Sequence, residues 1–334
     1  MRVSLKKIAN VAGVSEATAS LALNNRPGVN VETREKIREI AKKLGYVPSV
    51  NAQNLASRKS GLVGLIVPNI ANVAYSTFVR GVEGELRDRG YKMIMSASES
   101  NVDYERQMIE HFVSFRVEGA IIYPMIRDNP APEYLNLLAK NDIPMVFIGS
   151  YYRGVKASHV MSDIYGAIAN AAEYLYERGG RNFCYFGGCR TIVSNELKIR
   201  ALKDVLAGKG GVFEDNRYIE LTDSSYDNAH ETAREFFSRR RDIDSVLAPD
   251  AYTSLAVYNA IIENGFRVPE DISLVSFDNL VPPGTCKIEL TCIEQNIGEI
   301  VKGTVDELFN KIHGNKVDRN ILVETRLIAR QTTR

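Results

Sequence analysis

The chain has 334 residues, 45% of them hydrophobic and 25% charged, which excludes a disordered or fibrous protein and gives enough chain for two or three packed cores. Its net charge of +1 hides an uneven spread, for residues 1–60 carry 11 Lys and Arg against 4 Asp and Glu and the remainder is acidic. A small basic unit on a mildly acidic body is the asymmetry of a nucleic-acid-binding head joined to a separate domain.

The first elements are three short helices. Leu5–Ala12 has apolar residues at helical spacing, with Ser4 available as a cap, and Gly13 interrupts it. Ser15 can cap a second helix that runs to about Asn24, with Ala19, Ala22 and Leu23 inward. Arg26-Pro27-Gly28 reads as a turn, and Asn30 can cap a third helix that stops at Gly45. Ala9, Gly13 and Ala19 carry the small-residue and turn spacing of a helix-turn-helix. That leaves Ser15, Glu16, Ala17, Thr18, Ser20 and Leu21 on the face that could enter a major groove, although a plain helical hairpin has the same spacing. A basic polar segment, Pro48–Gly61, comes next.

From Gly61 onward, apolar runs of strand length alternate with amphipathic segments. The runs are Val63–Val67, Met93–Ala97, Ala120–Tyr123, Met145–Ile148, Phe183–Phe186, Tyr218–Leu221, Ser245–Ala248 and Ile272–Phe277. The intervening segments are Tyr75–Arg89, Tyr104–Phe115, Glu133–Lys140, Ala167–Arg178, Ser194–Leu206, Ala229–Arg239 and Thr253–Glu263. Continuous apolar strands with helices between them predict an α/β body of two doubly wound parallel-sheet lobes dividing near Val160–Tyr165. The tail (Thr291–Gln295, Ile297–Ile312, Ile321–Ile328) is expected to cross back between them. The expected boundaries are 1–47 for the all-α head, 48–60 for a linker and 61–334 for the core. Lobe 1 takes about 61–162 plus 278–294, and lobe 2 takes about 163–277 and 295–334.

Residues Leu5–Ser57 resemble the head of the lactose-repressor/galactose-repressor family, through "LKKIANVAGVSEATASLALN" and "VNVETREKIREIAKKLGYVPSVNAQNLAS". The resemblance continues through "GLIVPNI", "RVEGAIIYP", "NDIPMVFIG", "NGFRVPEDISLVSFDN" and "RLIARQTT", so it spans the chain in order. It implies a helix-turn-helix head, a hinge helix and a periplasmic-binding-protein-like core, in a homodimeric repressor of a palindromic double-stranded DNA operator controlled by a small effector. Ser15, Thr18, Ser20 and Asn24 would hold phosphates, with Asn30, Thr33 and Tyr46. Glu16, Ala17 and Leu21 would read bases, and Leu21 stands where many relatives carry a guanine-reading arginine. Val50–Ser57 would be the hinge helix, with Leu55 as a minor-groove wedge and Ala52 beside it. The segments Val73–Leu86 and Tyr104–Phe115 would supply much of the dimer face.

For the effector, Asp278 ends an apolar strand and matches the family's hydroxyl-binding acid. Lys198 matches an effector-contacting arginine but offers only a point charge, which disfavours a planar carboxylate or base ligand. Asn69 and Tyr75 lie between the first core strand and its helix. Asn195 and Asp250 complete the set, and both are also residue types that cap helices. Gly149 replaces an acid of some relatives. A sugar or sugar derivative is the expected effector. Catalysis is not expected. GxGxxG, Walker and HExxH patterns are missing, His111, His159, His230 and His313 are dispersed, and the four cysteines form no CxxC pair, so no cofactor or metal is called for. With no apolar leader and no run long enough for a bilayer, the expectation is a cytosolic, nucleoid-associated protein with no membrane partner, the rival being a solute-binding protein without regulatory role.

Overall fold

The computed structural model describes residues 3–46, 60–125, 132–223, 225–279 and 288–334. Two compact units meet at Ser60 and Gly61. The expectations for Ala52 and Leu55 lie outside the described residues.

The N-terminal unit holds α1 (Leu5–Ala12), α2 (Glu16–Leu23) and α3 (Val31–Lys43). Each begins at a polar cap: the side chains of Ser4, Ser15 and Asn30 accept the N–H groups of Lys7, Thr18 and Thr33. Gly13 ends α1 at φ +72, a conformation that allows the chain to reverse within two residues. Ile8, Ala9, Ala12, Ala19, Ala22, Ile37 and Ala41 form the buried centre, so the helices approach closely over alanine.

The second unit contains, in order, β1 (Leu62–Val67), α4 (Val73–Asp88), β2 (Lys92–Ala97), α5 (Val102–Ser114), β3 (Gly119–Ile122), α6 (Asn136–Lys140), β4 (Met145–Ile148) and β5 (Ser158–Ser162). It continues with α7 (Ile164–Glu177), β6 (Phe183–Gly187), α8 (Val193–Gly208), β7 (Tyr218–Glu220), α9 (Tyr226–Arg239), β8 (Ser245–Ala248), α10 (Ala251–Glu263) and β9 (Ser273–Phe277). The last elements are β10 (Thr291–Gln295), α11 (Ile297–Ile312), β11 (Asn320–Val323) and β12 (Thr325–Ile328). Among the described residues these strands make two six-stranded sheets, β2-β1-β3-β4-β5-β11 and β7-β6-β8-β9-β10-β12. All their neighbours are parallel except β12, which runs antiparallel to β10. Each sheet therefore has a doubly wound order covered by helices, the architecture whose ligands bind beyond the carboxyl ends of the strands.

The tail departs from expectation. Residues 295–334 do not all join lobe 2, and β10, which begins within the 278–294 stretch, does not join lobe 1. The β10 strand pairs with β9 in the second sheet, whereas α11 packs on the first: its Ile300, Val301, Val305 and Leu308 complete the apolar cluster around Val63, Leu65 and Phe78. Close approach is possible because Gly81 of α4 faces Val301, where a Cβ would stand only 3.0 Å from a Val301 methyl group. The run Ile321–Ile328, expected as one strand, is two strands in different sheets broken at Glu324. The segment Ser158–Ser162 is a fully buried strand that its serines and histidine disguise. Among the described residues the chain thus crosses between lobes after β5, after β10 and after β11.

Gly64, in β1, lies flat beneath the Phe112 ring of α5, where a Cβ would collide with the ring. Gly64→Ala is expected to cost about 1–3 kcal/mol by overpacking. It should lower the urea midpoint of the core; an unchanged midpoint would contradict this packing.

Candidate functional site

Two surfaces concentrate the residues singled out from sequence. On the head, Ala19 and Ala22 are fully buried, which turns the other side of α2 outward: Ser15, Glu16, Ala17 and Leu21 are exposed, Thr18 and Ser20 half-exposed. Ser15 Oγ lies 2.8 Å from Thr18 Oγ1, and Asn24 Nδ2 donates to Ser20 Oγ at 3.4 Å. The hydroxyls thus form a pre-oriented row along one edge. Asn30 spends its carbonyl on the Thr33 N–H at 2.8 Å, so its amide is the part left to reach outward. Tyr46 packs half-buried against the alanine core. Sequence reasoning missed Arg34. It counts toward the basic charge, yet its guanidinium donates to the carbonyls of Arg26 and Val29 at 2.8 and 3.1 Å and to the Asn25 side chain, so it clamps the turn that sets α3 against α2. No sequence signal separates that role from a phosphate contact.

The second surface is a cleft of about 710 Å³ in the core unit. Its walls are built by the loops at the strand ends: Pro68 and Asn69 after β1, Tyr123 to Met125 after β3, Gly149 to Arg153 after β4, Gly188 to Asn195 after β6, Pro249 and Asp250 after β8, and Asp278 after β9. All six effector candidates, Asn69, Tyr75, Asn195, Lys198, Asp250 and Asp278, line it.

Lys198, on α8, is 6% exposed; its Nζ sits over the Phe277 ring at 4.5 Å and over Tyr185 at 5.7 Å. Burial pulls the ammonium down to about 8, while Asp278 and Asp250 hold it up. Asp278 is also 6% exposed and is held at φ +92, a strained conformation for a residue with a side chain. Burial pushes its carboxyl up to about 6, against a hydrogen bond donated by Gln295 Nε2; Asp250 adds to the rise and Lys198 opposes it. Asp250 caps α10, accepting the Thr253 N–H at 2.8 Å and its hydroxyl at 3.0 Å, and burial raises its carboxyl as well. Asn195 donates to the Cys189 carbonyl at 3.0 Å and shapes the loop before α8. Asn69 accepts the Ala71 N–H at 2.6 Å and donates to Glu99 at 3.2 Å, so it braces the rim.

Two further residues escaped the sequence. Tyr123 packs edge-on to Tyr75 at 4.9 Å between centroids, making the aromatic pair that the sequence around Tyr75 lacks. Gly149 allows this. It adopts φ +73, and any Cβ there would meet the Tyr123 ring. Gln295 stands at the second crossover; it accepts the Ser162 hydroxyl at 2.6 Å while donating to Asp278, so it links the buried acid to the first crossover as well. Across the cleft, Arg153 of lobe 1 pairs with Glu196 of lobe 2. Among the described residues no cluster of His, Cys, Asp and Glu could hold a metal, and no helix is long and apolar enough to cross a membrane.

Residues 4–49 match the family described as bacterial regulatory proteins, lacI family, and residues 172–333 match the periplasmic binding protein-like domain. Similar proteins include catabolite control protein A of Priestia megaterium, 28% identical with all of both chains covered. HTH-type transcriptional regulator CelR of Thermobifida fusca is 27% identical over 99% of this chain and 98% of its own. Among solved structures, the lac repressor dimer bound to operator and the anti-inducer ONPF has a TM-score of 0.87 at 24% identity, covering 100% of this chain and 99% of that one. A CelR–cellobiose complex has a TM-score of 0.74 at 24% identity, covering 99% and 100%. The chain belongs to the lactose-repressor/galactose-repressor family. It is a DNA-binding transcription regulator, and these relatives are regulators and not enzymes.

The charges of the cleft set a pH window for binding. A polyol that donates to ionised Asp278 and accepts from protonated Lys198 is expected to bind best between about pH 6 and about pH 8. Affinity falls below that window as the carboxyl gains a proton, and above it as the ammonium loses one. Calorimetric titration from about pH 5 to about pH 9 reads this directly, and a flat profile would remove both groups from the contact. Gly149→Asp, which must displace Tyr123 and hold a side chain at positive φ, is expected to cost about 2–4 kcal/mol in chemical denaturation.

Proposed function

We propose that this regulator is a homodimeric repressor of a palindromic operator whose DNA affinity is set by a neutral sugar or sugar derivative bound in the cleft. One observation carries the effector reading: Lys198, Asp250 and Asp278 converge at the strand ends of lobe 2, opposite the Tyr75–Tyr123 pair of lobe 1. Two carboxylates accept hydroxyl protons, a lone ammonium donates to a ring or hydroxyl oxygen, and aromatic rings take the apolar face of a pyranose. Glu99, Glu220 and Asp223 add acid to the lining, while Arg153 is occupied by Glu196. A phosphorylated or carboxylated ligand would meet net repulsion and no fork to receive it. CelR, a relative of matching length, is known in complex with cellobiose, which supports a saccharide of that size.

Coupling follows from differential affinity. A ligand that touches both lobes favours the closed arrangement, and closure reorients whatever each lobe binds. Lobe 1 exposes Ile70, Val73, Met95, Tyr104 and Phe115, apolar surface suited to a second copy. On the head, the outward row of Ser15, Thr18 and Ser20 suits phosphates, and the exposed Glu16, Ala17 and Leu21 would read base edges.

A thermal-shift panel of neutral disaccharides, each with a phosphorylated counterpart, tests the effector class. The neutral member should raise Tm and change operator affinity by about 5–150-fold, the usual range of allosteric coupling. A shift seen with the phosphorylated sugars alone would sink the reading. Asp278→Asn is expected to weaken the active sugar at least about tenfold, the loss of one charge-assisted hydrogen bond, while the variant still binds operator without sugar.

A further inference from the structure

Glu105 lies outside the sites already described. It sits on α5 and is fully buried, yet its carboxyl is neither in an ion pair nor at a metal cluster among the described residues. Instead it ends a directional chain. The Met125 N–H donates to Tyr152 Oη at 2.8 Å; that hydroxyl donates to the two carboxyl oxygens of Glu105 at 3.0 and 3.1 Å; and Tyr134 Oη donates to Oε1 at 2.7 Å. Met125 and Tyr152 both line the cleft. We infer that Glu105 is a positioning residue for the effector cleft: through Tyr152 its carboxylate fixes the main chain at Met125, and with it the lobe-1 wall that a bound effector closes against. The inference rests on the cleft being the effector site.

The donor count gives the inference its content. An ionised carboxylate only accepts, so two phenols and one amide are all satisfied at once. A neutral carboxyl adds one donor and an amide two, and each leaves one carbonyl oxygen as the main acceptor, so one of the bonds must open in a buried place where an unpaired donor is costly. Burial also raises the Glu105 carboxyl to about 6, while the Tyr134 and Tyr152 hydrogen bonds oppose the rise. Of the charged and titratable groups around it, Tyr134 and Tyr152 face the carboxyl. Arg106, on the same helix, lies over the Tyr134 ring at 5.7 Å, and Arg153 is turned to Glu196. Burial thus brings the carboxyl's protonation up toward about 6. Because the two phenol hydrogen bonds favour the ionised form, those bonds are what weaken when the proton is taken up, while the buried charge itself is relieved.

Hydrogen exchange of the Met125 amide in the ligand-free full chain tests this. In the wild type, protection corrected for intrinsic rate should fall about tenfold or more as pH drops from about 7.5 to about 5.5. Glu105→Gln and Tyr152→Phe should both show the low value at about pH 7.5, and Glu105→Gln should lose the pH step. The amides of Ile121 and Val146, in the buried strands of the same lobe, should stay protected in every variant, which separates local loosening from failure to fold. A flat wild-type profile, or Glu105→Gln protected like the wild type, overturns the inference. Cellobiose supplies a second reading: weaker binding to Glu105→Gln than to wild type at about pH 7.5 supports the link to the cleft, and equal binding breaks it. Should cellobiose not bind the wild type at all, the effector reading suffers, while the exchange measurement still decides the role of Glu105.

Discussion

The constraint on which most of the core depends is that its chain passes between the two lobes after β5, β10 and β11. Neither lobe is a continuous stretch of sequence. The first sheet is finished by a helix and a strand from the last forty residues, and the second sheet is closed by a strand that comes after them. Relative motion of the lobes must be absorbed where the chain crosses, because the sheets themselves are held by full ladders and buried apolar faces. The side chains at these points matter accordingly. Gln295 joins Ser162 at the first crossing to Asp278 in the cleft, so an event at the acid reaches two crossings through one amide.

The cleft inherits its charge arrangement from the same architecture. Strand ends put Asp250 and Asp278 within electrostatic reach of one buried lysine, and burial works against both signs: it drives the acid up and the base down. The ionised groups of the cleft are therefore poorly solvated by protein alone. A ligand rich in hydroxyls replaces the missing hydration, which is how polar cavities obtain affinity from groups that cost stability in the free state. The positive φ of Asp278, Glu99 and Ser100 belongs to the same pattern, since backbone strain collects where a side chain is held for a partner.

Much of this was legible in the sequence, and the failures have physical causes. The head could be read because caps, a turn glycine and inward alanines each act within a few residues. The strand ends that carry Asp250 and Asp278 could be read because apolar runs mark them. The tail could not. Thr291–Gln295 and Ile321–Ile328 look like ordinary strands, and nothing local says which sheet each joins: β10 and β12 pair with each other in the second sheet, while β11 between them pairs with the distant β5 in the first. The serines of Ser158–Ser162 broke the apolar signal, although each finds a hydrogen-bond partner inside the fold: Ser158 donates to the buried Glu307 and Ser162 to the half-buried Gln295. Tyr123, Gln295 and Arg34 went unnoticed because each acts through a contact that only the fold creates.

Gly149 and Tyr123 also bear on how such a cleft can diversify. Positions after β4 are free to vary as loops are, but these two are not independent: the ring occupies the volume that a side chain at 149 needs. Any lineage exchanging the glycine for an acid must first shrink or turn the tyrosine, passing through an intermediate with a hole in its binding wall. The reverse journey is blocked in the same way, since a large ring cannot enter while a side chain stands at 149. Ligand preference at this corner is thus inherited as a pair, and the order of substitution decides which paths are open.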